Sequence, residues 1–295
     1  MGTKINSIGI YENNDRAVKT SLELCRLAAE PCIQQSTCKR EDIGLLVSVA
    51  VYRDKYFCEP SFSSFVQNDL KINHDKTDSS GSKTLSFDVL NGSLGFLNAC
   101  QLGHVMLASD KVKAAIVVSS DIVDENISDK GAAPGFHPCG AAMILSNGND
   151  LSGFKAFYFR IFTDKQHACS SYFFHDTDKR MKLFLERDQD IENIYLDAAS
   201  IAVDEFLREQ TLSLDDFDMI IPSQISKGFI KKMASILRVS EKKMVDVTKE
   251  ADLFNASIPI AMDYIFKHNK TLEGKRALII NVASGIQVGC AIYEF

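Results

Sequence analysis

A chain of 295 residues that is 45% hydrophobic can bury a large core, as one domain or as two fused halves. Its net charge of −6 speaks against non-specific binding to nucleic acid or to an anionic membrane surface. No Lys/Arg cluster with interleaved aromatics points the other way, and no apolar run approaches the roughly 20 residues of a membrane span.

The N-terminus, MGTKINSIGIYENND, lacks the apolar stretch of a signal peptide, so a cytoplasmic protein is expected. Met1-Gly2 opens a myristoylation pattern, but Asn6 stands where that pattern asks for Ser or Thr. The cysteines, from Cys25 to Cys290, form no CxxC pair. No metal site is expected from them, and free thiols in a reducing compartment fit better than a disulfide framework.

Along the chain, a helical segment over 15–31 precedes a short buried strand in EDIGLLVSVAV (41–51). The stretch SFDVLNGSLGF (86–96) reads as a strand, a turn at Asn91 and Gly92, and the start of a helix over 94–109. Ser93 sits where strand gives way to helix. A basic turn and a strand follow in 110–122, and CGAAMILSN (139–147) closes the first half. Residues 148–190 are rich in aromatics and charges. They read either as a connecting insertion with one or two strands or as a lid or tunnel wall over a binding site.

The pattern then returns. Ile191, Ile194, Leu196, Ala198, Ile201, Val203 and Phe206 keep close to helical spacing over 190–210, and a strand follows in DDFDMIIPSQI (215–225). A helix over 256–269, a strand in 273–285 and the closing QVGCAIYEF complete a second helix–strand–helix–strand unit. Continuous Ile/Val/Leu runs between helices indicate strands buried on both faces. A duplicated α/β architecture is expected, with halves at 1–150 and 191–295 and an insertion or lid at 151–190.

These pieces resemble the thiolase superfamily, and within it ketosynthase III, the 3-oxoacyl-acyl-carrier-protein synthase III type. SFDVLNGSLGF looks like the family's strand into the nucleophile turn, and IIPSQI like its Pro-His-Gln segment. DLFNASIPIAMD looks like its Asn-Thr-Ser…Ser-Ile-Pro segment, and VASGIQVGCAIYEF like its Gly-rich turn and last strand. The resemblance implies a duplicated α/β/α/β/α five-layer fold. It also implies a catalytic Cys, His and Asn, whose places are filled here by Ser93, Ser223 and Asp252. The family's oxyanion hole maps onto the backbone N–H groups of Ser93 and of the Ser284-Gly285 turn.

Claisen condensation in that family needs a thiolate to take the acyl group and a His/Asn pair to stabilise the enolate. A serine does not ionise near neutral pH and needs an adjacent base. Asp252 is one candidate base, and His137, in the loop GAAPGFHPCGAA, is another. A loop histidine that satisfies local backbone groups is the plainer reading of His137. His104 and Cys100 read as structural, and His167, His175, Asp164, Asp176 and Asp178 as a solvated loop without metal-ligand spacing.

Three functions are expected to compete. The chain is a subunit that has lost its own condensing chemistry and dimerises with a competent ketosynthase III-like homologue. It is a non-decarboxylative acyltransferase whose Ser93 is acylated from an acyl thioester. Or it binds acyl or aromatic ligands without turnover. The resemblance implies acyl-CoA or an acyl-carrier protein as donor, no bound cofactor, a homodimer or heterodimer, and a role in specialised-metabolite biosynthesis.

Overall fold

The computed structural model describes residues 2–14, 16–53, 59–73, 83–109, 111–122, 135–148, 151–175, 177 and 181–295. The strands are β1 (Thr3–Glu12), β2 (Ile43–Ser48), β3 (Leu85–Asp88), β4 (Ala114–Asp121), β5 (Cys139–Asn147), β6 (Gly153–Ile161), β7 (Cys169–His175), β8 (Met181–Arg187), β9 (Met219–Pro222), β10 (Arg276–Ala283) and β11 (Gln287–Glu294). The α-helices are α1 (Ser21–Gln35), α2 (Phe62–Asp69), α3 (Gly95–Ala108), α4 (Ile191–Gln210), α5 (Lys227–Ile236) and α6 (Ser257–His268).

The N-terminal sheet runs β3-β2-β4-β5-β1, with β2 parallel to β3 and β4, and β5 antiparallel to β4 and β1. The C-terminal sheet runs β6-β11-β10-β9, with β10 parallel to β9 and antiparallel to β11. One residue pair, Thr3 with Phe154, joins the two. In β4 every residue is buried, as a strand covered by helices on both faces requires.

Three apolar clusters reveal the layering. Cys25, Ala29 and Ile33 of α1 and Phe62 and Val66 of α2 cover the outer face of the N-terminal sheet. Phe96, Leu97 and Cys100 of α3 and Ile258, Met262 and Ile265 of α6 fill the space between the sheets. Ala199, Val203 and Phe206 of α4 and Phe229 and Met233 of α5 cover the outer face of the C-terminal sheet. The fold is therefore α/β in five layers, α/β/α/β/α, and its halves correspond. The pairs are α1 with α4, β2 with β9, α3 with α6, β4 with β10, and β5 with β11. The counterpart of β3 in the second half is reduced to one parallel bridge between Ile220 and Met244.

The main differences from the sequence reading are local. Helix α1 starts at Ser21, because the Thr20 hydroxyl accepts from the Glu23 N–H at 3.3 Å and caps it. It continues past Pro31, since Cys32 and Ile33 extend its buried face. Helix α2 carries little sequence signal, since it has only eight residues and buries only Phe62, Ser63 and Val66, whereas α5 buries Phe229, Ile230, Met233 and Ala234 at helical spacing and is simply absent from the expected elements. Within 151–190, β6 is an integral strand of the C-terminal sheet, hydrogen-bonded beside β11. The inserted element is the antiparallel hairpin β7–β8, a separate two-stranded sheet.

Candidate functional site

Asp88 closes β3 and anchors the turn after it. Its carboxylate accepts from the Arg53 guanidinium at 2.5 Å and from the Phe62 and Ser63 N–H groups at 2.8 and 2.9 Å, tying the strand end to the start of α2. The chain then turns through Gly92, whose φ of +53° and lack of a side chain are both needed. A Cβ there would lie 2.8 Å from the Ser284 hydroxyl. The Gln287 amide donates to Asn91 Oδ1 at 2.9 Å and pins this turn to the second half.

Ser93 comes next, at the entrance to α3. Its hydroxyl donates to the Val282 carbonyl at 2.7 Å. Ser223, at the end of β9, is buried and accepts from Asn281 Nδ2 at 2.7 Å and from the Val282 N–H at 2.9 Å. The two serines thus bond to opposite ends of one residue on β10. The Ser93 bond ties the first half to the second, whereas the Ser223 bonds stay within the C-terminal sheet.

Asp252 lies before α6. Its Oδ1 accepts from the Phe254 N–H at 2.8 Å, and its carbonyl accepts from the His137 N–H at 2.7 Å. Burial pushes its carboxyl up to about 6, while the Phe254 N–H and the Arg187 charge pull the other way. The His137 backbone thus belongs to the site, but its ring does not. The half-buried imidazole is held neutral by burial, its charged neighbours are Glu12, Lys249, Arg16 and Glu250, and it does not line the cavity. Among the described residues no imidazole or carboxylate hydrogen-bonds the Ser93 hydroxyl.

A cavity of about 550 Å3 opens over this turn. Ser93, Val282 and Ser284 form its floor. Tyr52, Phe136 and Phe254 pack together on one side, with ring centroids 5.2 to 5.6 Å apart. The hairpin supplies the facing wall with Cys169, Leu185 and Arg187, and Tyr195 of α4 backs it. Asp188, Glu192 and Glu250 stand around the same space. Of the residues expected to carry chemistry, the cavity brings together Ser93, Ser284 and Asp252, leaving Ser223 and His137 outside its lining. The Gly285 N–H, expected near the oxyanion position, is directed to the Cys169 carbonyl at 3.3 Å.

Behind the floor lies a carboxylate that no sequence motif marks. Asp121, at the end of β4, accepts from the Val51 and Tyr52 N–H groups at 2.7 and 3.0 Å and from Asn255 Nδ2 at 3.0 Å. Burial pushes it up to about 6 as well. Cys169, Arg187 and Tyr195 are likewise absent from the sequence-based candidates. The one signal for the first two is the alternation of the hairpin strands, which puts every second side chain on one face. His104 bonds to Thr3 Oγ1 at 3.0 Å and packs on Phe157, and Cys100 is fully buried, so both are structural. Asp176 and Asp178 lie outside the described residues, and among the described ones no three His, Cys, Asp or Glu side chains converge as a metal site would require. No helix of the described residues is long and apolar enough to cross a membrane.

The comparisons agree with this architecture. Residues 207–295 match the family of the 3-oxoacyl-[acyl-carrier-protein (ACP)] synthase III C-terminal region. The β-ketoacyl-[acyl-carrier-protein] synthase III of Wolbachia pipientis subsp. Culex pipiens (strain wPip) is 24% identical over 272 residues, covering 91% of this chain and 82% of that one. The 3-oxoacyl-[acyl-carrier-protein] synthase III of Aquifex aeolicus VF5 superposes with a TM-score of 0.79 at 18% identity over 100% of both chains. A Xanthomonas campestris OleA structure with bound lauric acid and lauroyl-CoA gives 0.80 at 18% identity, covering 100% of this chain and 99% of that one. The chain thus matches the 3-oxoacyl-[acyl-carrier-protein] synthase III C-terminal family over residues 207–295 and shares the fold of these solved structures along its whole length.

Proposed function

We propose that this chain binds an acyl thioester as a subunit of an acyl-transfer or condensing system, its own decarboxylative Claisen chemistry lost, and that it works with a competent ketosynthase III-like homologue. One observation carries the reading: the Ser93 hydroxyl spends its proton on the Val282 carbonyl at 2.7 Å and meets no base among the described residues. A serine in that arrangement cannot be turned into a nucleophile for a thioester. Ser223 cannot replace an imidazole. An ionised Asp252 would oppose the negative charge that an enolate develops.

Binding remains supported. The cavity is retained, and the similar OleA structure holds lauric acid and lauroyl-CoA. Pairing is supported by β3: among the described residues no strand covers its outer edge, and Leu85 and Leu90 beside it are each 54% exposed. An open strand edge with apolar side chains is a ready surface for a second sheet. A specialised-metabolite pathway fits better than essential chain elongation, which needs the full Cys/His/Asn set.

The test is co-expression with a homologue bearing Cys, His and Asn at these three positions. A stable heterodimer whose condensing activity depends on this chain is the expected result. A homodimer of this chain that releases condensed product from malonyl and acyl thioesters overturns the proposal.

A further inference from the structure

The geometry points to Cys169 as an acyl-accepting thiol, placed in the cavity by the β7–β8 hairpin rather than by the nucleophile turn. This rests on the reading that the cavity takes an acyl thioester.

The hairpin register sets Cys169 directly opposite Arg187. Directly paired residues share a face of an antiparallel ribbon, with Cβ atoms roughly 4.5–5.5 Å apart. The next pair on that face is Ser171 with Leu185. Cys169, Leu185 and Arg187 all line the cavity, and the Tyr52 hydroxyl donates to Ser171 Oγ at 3.2 Å from the cavity's aromatic side. The base of this face therefore borders the cavity, with Cys169 buried and Ser171 and Arg187 exposed. The backbone of Cys169 is pinned above the floor, with its carbonyl accepting from the Gly285 N–H at 3.3 Å and the neighbouring Ala168 carbonyl accepting from the Asp188 N–H at 2.8 Å.

The surroundings suit transfer to sulfur. A guanidinium one strand away stabilises negative charge developing at the reacting centre. The Tyr195 phenol lies against the thiol, and burial together with that thiol pushes it above its usual range, so it stays protonated and can donate a hydrogen bond. Cys169 is itself buried, at 6% exposed, within the C-terminal apolar cluster, but among the described residues no other cysteine lines this cavity.

The step is a thiol exchange. Cys169 Sγ forms a bond to the thioester carbonyl carbon, the carbon–sulfur bond of the donor breaks, and the departing thiol takes the proton that Cys169 gives up. Nothing is oxidised or reduced. The cavity also selects the donor. Arg187 stands against four carboxylates, Asp188, Glu192, Glu250 and Asp252, so an uncharged acyl group is favoured over one bearing its own carboxylate.

The test incubates the full chain with octanoyl-N-acetylcysteamine, an uncharged thioester, and reads intact mass. The expected product carries one octanoyl group, maps to the peptide containing Cys169 and is released by neutral hydroxylamine, as a thioester is and a serine ester is not. Cys169→Ala abolishes it, and Arg187→Met slows its formation by on the order of tenfold. The amide analogue, with NH in place of the thioester sulfur, separates binding from transfer. If that analogue raises the thermal midpoint but no adduct forms at Cys169, the thiol assignment is overturned and the acyl-binding reading stands. If neither analogue nor thioester binds, the acyl-binding reading falls and this assignment with it.

Discussion

The floor of the cavity and its hairpin wall are built on opposite principles. On the floor, the Ser93 hydroxyl is committed to the Val282 carbonyl, and just outside the lining the Ser223 hydroxyl is committed to the Val282 N–H. On the wall, Cys169 and Arg187 come from an inserted ribbon outside the duplicated scaffold and line the open space. A side chain that satisfies a backbone group in a seam contributes stability. One that faces a cavity contributes reactivity and little else. The position within the fold, therefore, does not tell which residues act, whereas the hydrogen-bond partners do.

The largest effect belongs to the floor's foundation. Asp88→Ala removes a carboxylate that a buried guanidinium and two N–H groups at the start of α2 all address. A loss of about 3–5 kcal/mol is expected, because buried charge is left with poorer compensation. Denaturant titration measures it. A change under about 1 kcal/mol would mean that the floor is far less rigid than the comparison requires.

Next in size is the carboxylate where floor and wall meet. Asp252 holds its proton up to about pH 6 in the folded protein, against an ordinary value of 3.8. The folded state thus binds the proton more tightly than the unfolded chain does. The resulting stability is complete below pH 3.8, declines as the pH rises, and is gone above about 6. Asp252→Asn keeps the acceptor for the Phe254 N–H and removes the charge. It should be more stable than the parent at pH 7 by on the order of 2 kcal/mol, with the difference shrinking towards pH 4. Thermal midpoints across that range decide it, and equal stability at both ends refutes it. Asp121 gives the contrast. It accepts from Asn255 Nδ2, so Asp121→Asn sets one amide NH2 against another and should destabilise at pH 7 despite removing a charge.

The architecture is legible in the sequence because it is repeated and because its strands are buried on both faces. The runs in 110–122 and 273–285 have no other reading, and β4 and β10 lie within them. Ser93, Ser223 and Asp252 are picked out as candidates by the local motifs around each. What they bond to is not, since Ser93 and Val282 are brought together only by the packing of one half against the other. Cys169 is hidden for a related reason. Its importance depends on the register that pairs it with Arg187, and nothing local in CSSYFFH fixes that register. His137 illustrates the converse: its sequence neighbourhood leads to the site, but only its backbone arrives there.

The smallest effect is the most discriminating. Ser93→Ala deletes one hydrogen bond and leaves the Val282 carbonyl without that donor. If the hydroxyl is a structural link, the variant loses about 1 kcal/mol. Working nucleophiles tend towards the opposite sign, because active sites hold polar groups in poorly satisfied positions and their removal often stabilises the fold. The sign of the change in thermal midpoint therefore separates the two roles without any assay of activity. Ser93→Cys extends the test. Sulfur makes a longer, weaker bond to the same carbonyl, so this variant should also lose stability, and it should yield no condensed product, since neither His nor Asn accompanies the thiol. A stabilised Ser93→Ala, or turnover in Ser93→Cys alone, would show that the floor has kept the chemistry assigned here to the wall.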